Sequence, residues 1–234
     1  MSQTSGNLPE LIGTTVLDTI GLVIAAPDAQ LRNQMHLPDD IRALGMISSR
    51  TGAAGQLVAC DEAVKSTNTV LVSAELPRDT KGWGGHGCYI ILGAHSVDDA
   101  ARAVRIALDE IQINAGEVHI SQAGHLEFAY SARSGQVLQK VFQVPSSQAF
   151  GFAAGSPAAI GQVMADRALK AADIQICKYM TPDSGTSHSN EVIVAFSGST
   201  DAVKEAVLTA KRIGMELLSN MGSEPQSPST PFLF

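Results

Sequence analysis

The stretch ALGMI, Ala43–Ile47, followed by DEAVK, Asp61–Lys65, decides the fold because the chain contains a second copy of it. The second copy is AFGFA, Ala149–Ala153, followed by DRALK, Asp166–Lys170. The copies lie about 105 residues apart in a chain of 234 residues. Few residues are identical, but the order and the spacing are kept. A period close to half of the chain indicates one domain repeated in tandem.

Further matched positions extend the repeat in both directions. A Leu-Pro pair precedes the first copy where a Val-Pro pair precedes the second, and a proline and a glycine follow in each. Chance is a poor explanation for the whole set. The matched pairs are Pro38 with Pro145, Pro77 with Pro182, and Gly93 with Gly198.

Each copy predicts the same series of secondary-structure elements. A short strand and a short helix come before an alanine-rich helix, a β-branched strand, a Gly/Ser-rich loop, an apolar strand and a closing helix. We therefore predict an α+β fold of two like domains. Predicted strands lie at 20–24, 69–72, 89–92, 126–130, 174–177 and 192–196, and the longer helices at 53–66, 98–111, 158–171 and 201–218. One flank of each alanine-rich helix is apolar, with Val58 and Val64 on the first and Val163 and Leu169 on the second.

The composition excludes several classes of protein. Charged residues make up 17% of the chain against 44% apolar ones, which indicates that other subunits cover much of the surface. A net charge of −7 argues against a nucleic-acid groove. No apolar run approaches the roughly 18 residues of a membrane span, and Met1–Pro9 does not resemble a secretion signal. The widely spaced Cys60, Cys88 and Cys177 fit reduced thiols in the cytosol.

The glycine-rich stretch Gly82–Gly87 formally satisfies the pattern G-x-G-x-x-G. A dinucleotide-binding fingerprint must follow a strand and open a helix, so that the pyrophosphate meets the helix N-terminus. Here the glycines lead into the predicted strand at 88–92, so we predict a loop and no cofactor. The loop Pro77–Gly87 matches Pro182–Val192 in the second copy and is equal to it in length.

The sequence predicts no metal site and no catalytic residues. His119 and His125 lie six residues apart with Glu117 and Glu127 nearby, but recognisable zinc sites pair ligands at about two to five residues. The chain has no G-x-S-x-G and no H-E-x-x-H motif. We expect the loop histidines, His86 and His188, to be solvated. The protein is therefore not expected to be an enzyme.

Several runs resemble the tandem-domain shell proteins of bacterial microcompartments, most closely the trimeric shell protein B type of propanediol and ethanol utilisation. The likeness covers about residues 10 to 225, nearly the whole chain. The runs that carry it are Ile47–Ala53, Asp61–Lys65, Glu75–Gly82, Gly185–Ser187, Ser189–Glu191 and Gly222–Pro225. The run Glu75–Gly82, ELPRDTKG, is the most specific of them.

The resemblance implies two tandem circularly permuted shell domains, each a small, mainly antiparallel sheet with flanking helices. It implies a homotrimer with six domains around a pseudo-sixfold axis, tiled with other shell proteins in the wall of a cytoplasmic microcompartment. We expect a tail at 1–12, domains at 13–123 and 124–222, and an extended or disordered tail at 223–234. Long forms carry an N-terminal arm, but only about ten residues precede the match here, so a cargo-binding role for that arm is not expected.

The resemblance also implies two sets of site residues. Lysines that end the alanine-rich helices meet neighbouring tiles, with arginines of the closing helices as partners: Lys65, Lys170, Arg105 and Arg212. The two matched loops line the central pore, and Trp83 plugs it or packs against a neighbour. These pore and gate residues are Arg78, Asp79, Thr80, Lys81, Gly82, Trp83, Gly84, Gly85, His86, Asp183, Ser184, Gly185, Thr186, Ser187, His188 and Asn190.

The implied function is a passive shell tile whose pores admit small polar metabolites, with polyols or aldehydes as pore ligands and no nucleic acid or membrane as partner. Smaller pores between the two domains of each chain are a further implied site, where Ser187 and Asn190 offer hydrogen bonds. Two alternatives stay open at this point. One is a small-molecule sensor or regulatory protein of duplicated α+β domains, and the other is an enzyme that uses the loop at 182–191.

Overall fold

The computed structural model describes residues 8–78, 86–115 and 117–229. The first half contains strands β1 Leu11–Thr15, β2 Thr19–Ile24, β3 Ala43–Ser49, β4 Thr69–Glu75 and β5 Cys88–Ala94, with helices α1 Ala29–Gln34, α2 Ala54–Lys65 and α3 Val97–Asn114. The second half contains strands β6 Val118–Ser121, β7 Gly124–Ser131, β8 Ala149–Ser156, β9 Ile174–Met180 and β10 Val192–Gly198, with helices α4 Gln136–Phe142, α5 Ala158–Ala171 and α6 Thr200–Ser219.

The two halves have the same topology. Each forms a five-stranded antiparallel sheet, in the order β1-β2-β3-β5-β4 in the first half and β6-β7-β8-β10-β9 in the second. Strands and helices follow each other in the same sequence in both halves. The predicted α+β fold of two like domains is confirmed.

Strand pairing corrects two details of the sequence alignment. Ala94 lies opposite Ala43 in the first sheet, and Gly198 lies opposite Ala149 in the second. Gly198 therefore corresponds to Ala94 rather than to Gly93. The first loop, at 76–87, is also one residue longer than the second, at 181–191, and not equal to it. That extra residue shifts the register, and a sequence alignment without gaps misses it.

Helix α3 packs closely on its sheet because two strands carry glycine under it. A Cβ atom added at Gly21 would lie 2.6 Å from Val104, and one added at Gly45 would lie 2.8 Å from the same side chain. Both distances are shorter than any normal contact. The glycines in β2 and β3 therefore set the distance between helix and sheet.

One hydrophobic core continues from the first half into the second. It joins buried residues of α2, such as Leu57, to Phe142 of α4 and to Phe150 and Phe152 of β8. The Phe142 and Phe150 rings stack with centroids 5.3 Å apart. Since interiors are packed to near-crystalline density, this shared core fixes the first half against the second.

Four strands and the tail were not predicted in detail. The sequence analysis placed no strand at β1 or β6, which are short edge strands, and none at β3 or β8, which lie in the middle of the two sheets. Gln226 pairs with Ile120 of β6 through two backbone hydrogen bonds of 2.8 and 2.9 Å. The described part of the tail is thus extended at this residue.

Two predicted boundaries fall inside structural units. Strand β1 begins at Leu11, within the segment predicted as a tail, and β6 belongs to the second sheet although it precedes residue 124. The change from one sheet to the other lies between α3 and β6. Within the described ranges, no helix is both long and apolar enough to span a membrane, and all three cysteines are free thiols.

Candidate functional site

The first predicted pore loop is closed at its base. Arg78 and His86 form an antiparallel bridge, and the Gly87 amide donates a hydrogen bond of 2.9 Å to the Pro77 carbonyl. The rim residues between them lie outside the described residues. They are Asp79, Thr80, Lys81, Gly82, Trp83, Gly84 and Gly85.

The second predicted pore loop folds back on itself. The Thr186 hydroxyl donates 2.9 Å to the Thr181 carbonyl, and the His188 amide donates 2.9 Å to the Pro182 carbonyl. Thr186 is buried by these contacts, so it holds the loop together instead of facing solvent. A hydrogen bond from Thr181 lowers the pKa of Asp183. The exposed residues of this loop are Asp183, Ser184, Gly185, Ser187, His188 and Asn190.

A buried cluster of two histidines and two glutamates joins the bases of the two loops. His86 Nδ1 lies 2.9 Å from Glu191 Oε2, and His86 Nε2 lies 2.8 Å from Glu127 Oε2. His125 Nε2 lies 2.6 Å from Glu191 Oε1. The four residues are at most 5% exposed. We call them the histidine–glutamate cluster.

The cluster is positioned by elements of both repeats. His86 precedes β5, Glu191 precedes β10, and His125 and Glu127 lie on β7. Glu127 Oε1 accepts hydrogen bonds of 2.9 and 2.8 Å from the amides of Ala53 and Ala54, at the start of α2. A carboxylate there is favourable because the first amides of a helix lack partners and its dipole attracts negative charge.

Electrostatics in the cluster follow from burial and close pairing. Burial alone would lower the pKa of His86, but Glu191 and Glu127 outweigh it and raise that pKa well above its usual value. Burial alone would raise the pKa of Glu191, but His86 and His125 lower it to about 2. Both pKa shifts favour a positively charged His86 beside a negatively charged Glu191 inside the protein.

The prediction that His86 is solvated is wrong, whereas His188 is exposed as expected. The partners of His86 lie 41 and 105 residues further along the chain, too far for a local pattern to show. One signal was available: α2 begins at Ala53 with no side-chain cap of its own. Alanine is a poor N-cap, so a capping group from elsewhere in the chain was to be expected.

His119 and His125 use different carboxylates. His119 Nε2 lies 2.9 Å from Glu117 Oε2, and the same oxygen lies 2.8 Å from Lys211 Nζ. His125 instead faces Glu191. The structure therefore does not bring together the four residues weighed from the sequence, and it pairs His125 and Glu127 with the two loop bases.

The predicted tile-edge residues differ in their surroundings. Lys65 Nζ lies 3.0 Å from Asp61 and 2.7 Å from Glu62, and it donates 2.6 Å to the Arg133 carbonyl. Burial lowers the pKa of Lys65, but its hydrogen bonds with Glu62 and Asp61 raise it overall. Lys170 is more exposed and pairs with Asp166 at 2.8 Å. Arg105 and Arg212 are exposed on the closing helices.

A cleft of about 450 Å³ lies between the two repeats. Part of its wall is the edge strand β4, and the opposite wall includes Lys140, Lys178 and Ser187. Lys140 donates 3.2 Å to the Leu71 carbonyl and Lys178 donates 3.1 Å to the Val141 carbonyl. Asn190 has another role, since its Oδ1 accepts 3.1 Å from the Ala158 amide at the start of α5.

The chain is a tandem-repeat protein, since it contains two copies of one α+β domain with matched loops. The BMC domain family matches this chain twice, at residues 43–123 and 149–225. The chain belongs to the BMC domain family.

Named relatives make the likeness more specific. The bacterial microcompartment shell protein PduB of Citrobacter freundii is 45% identical over 233 residues, 100% of this chain and 86% of the relative. PduB of Limosilactobacillus reuteri is 41% identical over 222 residues, 94% of this chain and 93% of the relative. The predicted resemblance to microcompartment shell proteins is confirmed.

Solved structures agree with this assignment. The crystal structure of a trimeric bacterial microcompartment shell protein PduB has a TM-score of 0.91 and 40% identity, covering 96% of this chain and all of that one. The structure of EtuB from Clostridium kluyveri has a TM-score of 0.93 and 44% identity, covering 97% and 100%. EutL from Clostridium perfringens, with 22% identity and a TM-score of 0.74, shares the fold. The sensor alternative is not favoured by these matches, which support a structural shell role.

Proposed function

We propose that this chain forms a homotrimeric, pseudohexameric tile in the shell of a bacterial microcompartment and passes small polar metabolites without turnover. The similar PduB structure is described as trimeric, and three chains of two repeats supply six domains. One observation carries the proposal. The two repeats pack against each other inside the chain through one pair of surfaces, and the equivalent pair of surfaces on the other sides of the repeats is exposed.

The interface inside the chain places α4 against α2 and β4. The Asp61 carboxylate on α2 accepts hydrogen bonds of 2.7 and 2.9 Å from the amides of Gly135 and Val137 at the start of α4. Leu138 and Phe142 on α4 are fully buried. Nine of the twelve residues of α2 are buried, because α2 packs on α3 and β7 as well as on α4.

The equivalent surfaces on α1 and α5 are exposed in the single chain. Helix α1 corresponds to α4, and none of its residues is buried. Helix α5 corresponds to α2, and only five of its fourteen residues are buried. Three matched pairs measure the difference in exposure: Leu138 0% and Leu31 40%, Val58 8% and Val163 42%, Leu71 6% and Ile176 43%.

One neighbouring chain would cover both bare surfaces. If α1 of a neighbour packs on α5 and β9 as α4 packs on α2 and β4, apolar Leu31 meets apolar Val163 and Ile176. Burying such side chains gives about 1.5–3 kcal/mol each. Each chain then donates α1 on one side and accepts a neighbour's α1 on the other. A head-to-tail contact of this kind closes into a ring, and the pseudo-sixfold arrangement closes it at three chains.

We further propose that the two matched loops line the central pore of this ring. The exposed side chains of the second loop, with Asp183 among them, would be present three times around the axis. Together with Lys81 and Asp79 they would give a mixed polar rim suited to neutral hydroxylated molecules. The cleft between the repeats, with Ser187 in its wall, is the proposed smaller pore for polyols.

We also propose that the first loop opens and closes the pore, since its glycines allow it to fold inward or flip outward. Replacing Gly84 and Gly85 with alanine restricts the backbone, so we expect slower efflux of a small polyol from assembled shells. The matched control is Ser184→Ala, which changes the exposed second loop without removing a glycine. Unchanged efflux after the glycine replacements would refute a movable rim.

Electron microscopy of the concentrated protein tests the tile itself. We expect sheets or tubes with a lattice of three-lobed or pseudo-sixfold units. A sensor protein would stay as discrete particles at every concentration. Such particles under assembling conditions would contradict the proposal.

A further inference from the structure

Among the residues that the structure describes, no lysine or arginine pairs with the histidine–glutamate cluster, whereas Lys211 pairs with the other buried histidine–glutamate pair. Glu117 and His119 have Lys211 at 2.8 Å from the carboxylate. For Glu127 and Glu191, by contrast, the ion pairs found among the described residues involve only His86 and His125. Two buried carboxylates bring two negative charges, and a buried charge is costly unless it is neutralised.

We propose that His86, His125 and Glu191 bind one zinc ion, with Glu127 orienting His86. Each of the three offers one ligand atom, and these atoms lie within 4.8 Å of one another. Imidazole nitrogen and carboxylate oxygen are common zinc ligands, and two histidines with one glutamate leave a fourth position for water. One divalent cation would neutralise both buried carboxylates.

The distances require only a small adjustment. Glu191 offers one oxygen as a ligand, and its Oε1 lies 3.1 Å from His86 Nδ1 and 2.6 Å from His125 Nε2. A tetrahedral zinc ion with bonds of about 2.0–2.1 Å holds its ligand atoms about 3.3 Å apart. The contact between Glu191 and His86 therefore needs to lengthen by about 0.2 Å and the contact between Glu191 and His125 by about 0.7 Å.

Glu127 would provide the outer support that zinc-bound histidines usually have once its Oε2 and His86 Nε2, which are 2.8 Å apart without an aligned hydrogen bond, are brought into line. A ligating histidine generally donates its other ring N–H to a carboxylate, which fixes the ring and its tautomer. His86 presents Nδ1 to Glu191 while its Nε2 lies 2.8 Å from Glu127. Glu127 is itself held by the amides of Ala53 and Ala54. The arrangement would preorganise His86 for the ion.

The site would connect three parts of the chain. His86 ends the first loop, Glu191 ends the second, and Glu127 caps α2. A bound ion would therefore fix the bases of both loops to each other and to the first repeat. Borderline-soft ions such as Zn²⁺ and Co²⁺ suit these nitrogen ligands, whereas Mg²⁺ and Ca²⁺ prefer oxygen alone.

The test uses the full chain, purified without a metal-affinity tag and stripped with EDTA. Equilibrium dialysis against Zn²⁺ with elemental analysis should give one ion per chain. Co²⁺ should bind with the same stoichiometry and give the visible absorption of a four-coordinate site. Absence of stoichiometric Zn²⁺ uptake would overturn the proposal and show that the cluster consists of histidine–glutamate ion pairs without a metal.

Matched variants locate the site. His125→Ala removes a ligand and should weaken Zn²⁺ binding at least 100-fold, whereas His119→Ala removes an equally buried histidine 2.9 Å from a glutamate and should leave binding unchanged. Glu127→Gln keeps the side-chain size and should weaken binding about 10- to 100-fold, the usual effect of an outer-shell partner. If His125→Ala does not fold, Glu127→Gln decides the matter. Wild-type affinity in the folded variant at either position would overturn the assignment.

Discussion

Helices α4 and α1 occupy the same place in the two repeats, but one is buried inside the chain and the other is bare. Helix α4 has Val137, Leu138 and Phe142 in the core, and α1 has no buried residue. Their sequences carry the same apolar positions, Leu138 matching Leu31 and Phe142 matching Met35. The difference lies in the partner: α4 packs on α2 and β4 within the chain, and we propose that α1 packs on a neighbouring chain. On this proposal, the packing of α4 is a template for assembly.

The largest expected difference in the free energy of unfolding is between substitutions at Phe142 of α4 and at the matched residue Met35. Phe142→Ala should lower the free energy of unfolding by about 3–5 kcal/mol, because it empties part of the shared core. Met35→Ala, at the matched position directly after α1, should cost less than about 1.5 kcal/mol, because Met35 is only partly buried. Both are measured by urea denaturation in the Leu31→Asp background, so that monomers are compared. Equal costs would show that the two helices are not packed as differently as described.

Asp61 and Asp166 give the second comparison. Asp61 is buried and accepts hydrogen bonds from the first amides of α4, while Asp166 is exposed. Asp61→Ala should lower the free energy of unfolding by about 2–3 kcal/mol, the usual value for hydrogen bonds to a buried charged group. Asp166→Ala should cost about 0.5 kcal/mol or less. Chemical denaturation of both variants checks this, and a large loss for Asp166→Ala would contradict it.

The two lysines separate folding from tiling. Lys170→Asp should change chain stability by about 0.5 kcal/mol or less, while suppressing sheets in electron micrographs. Lys65→Asp should suppress sheets too, but it places a carboxylate beside Asp61 and Glu62 and should cost about 1–2 kcal/mol as well. Denaturation and microscopy on the same samples measure both effects. Normal sheets from both variants would show that these lysines are ordinary helix-end cations.

The sequence predicted the repeat, the α+β class and the family because those depend on local pattern and on order along the chain. Apolar strands, alanine-rich helices and matched prolines are visible without coordinates. The exposure of Val163 and Leu169 was not visible, since an apolar flank looks the same whether a neighbouring element or a neighbouring chain covers it. Only the structure shows which flank remains bare.

The buried cluster escaped prediction for a different reason. His86, His125, Glu127 and Glu191 come from two loop bases and one strand, and their spacing in sequence follows no motif. Proximity here is created by the packing of α2 against β7 and by the pairing of each loop with its own strands. The sequence analysis therefore treated His86 as a surface residue and weighed His125 with His119, which the fold directs to another glutamate.

The mass of Leu31→Asp in solution tests the central claim most directly. Size-exclusion chromatography with light scattering should give three chain masses for wild type and for the conservative control Leu31→Met. Leu31→Asp should give one chain mass with an unchanged circular dichroism spectrum, because Leu31 is exposed in the single chain and is buried only in the proposed contact with a neighbour. A trimer of Leu31→Asp as stable to dilution as wild type would contradict the account.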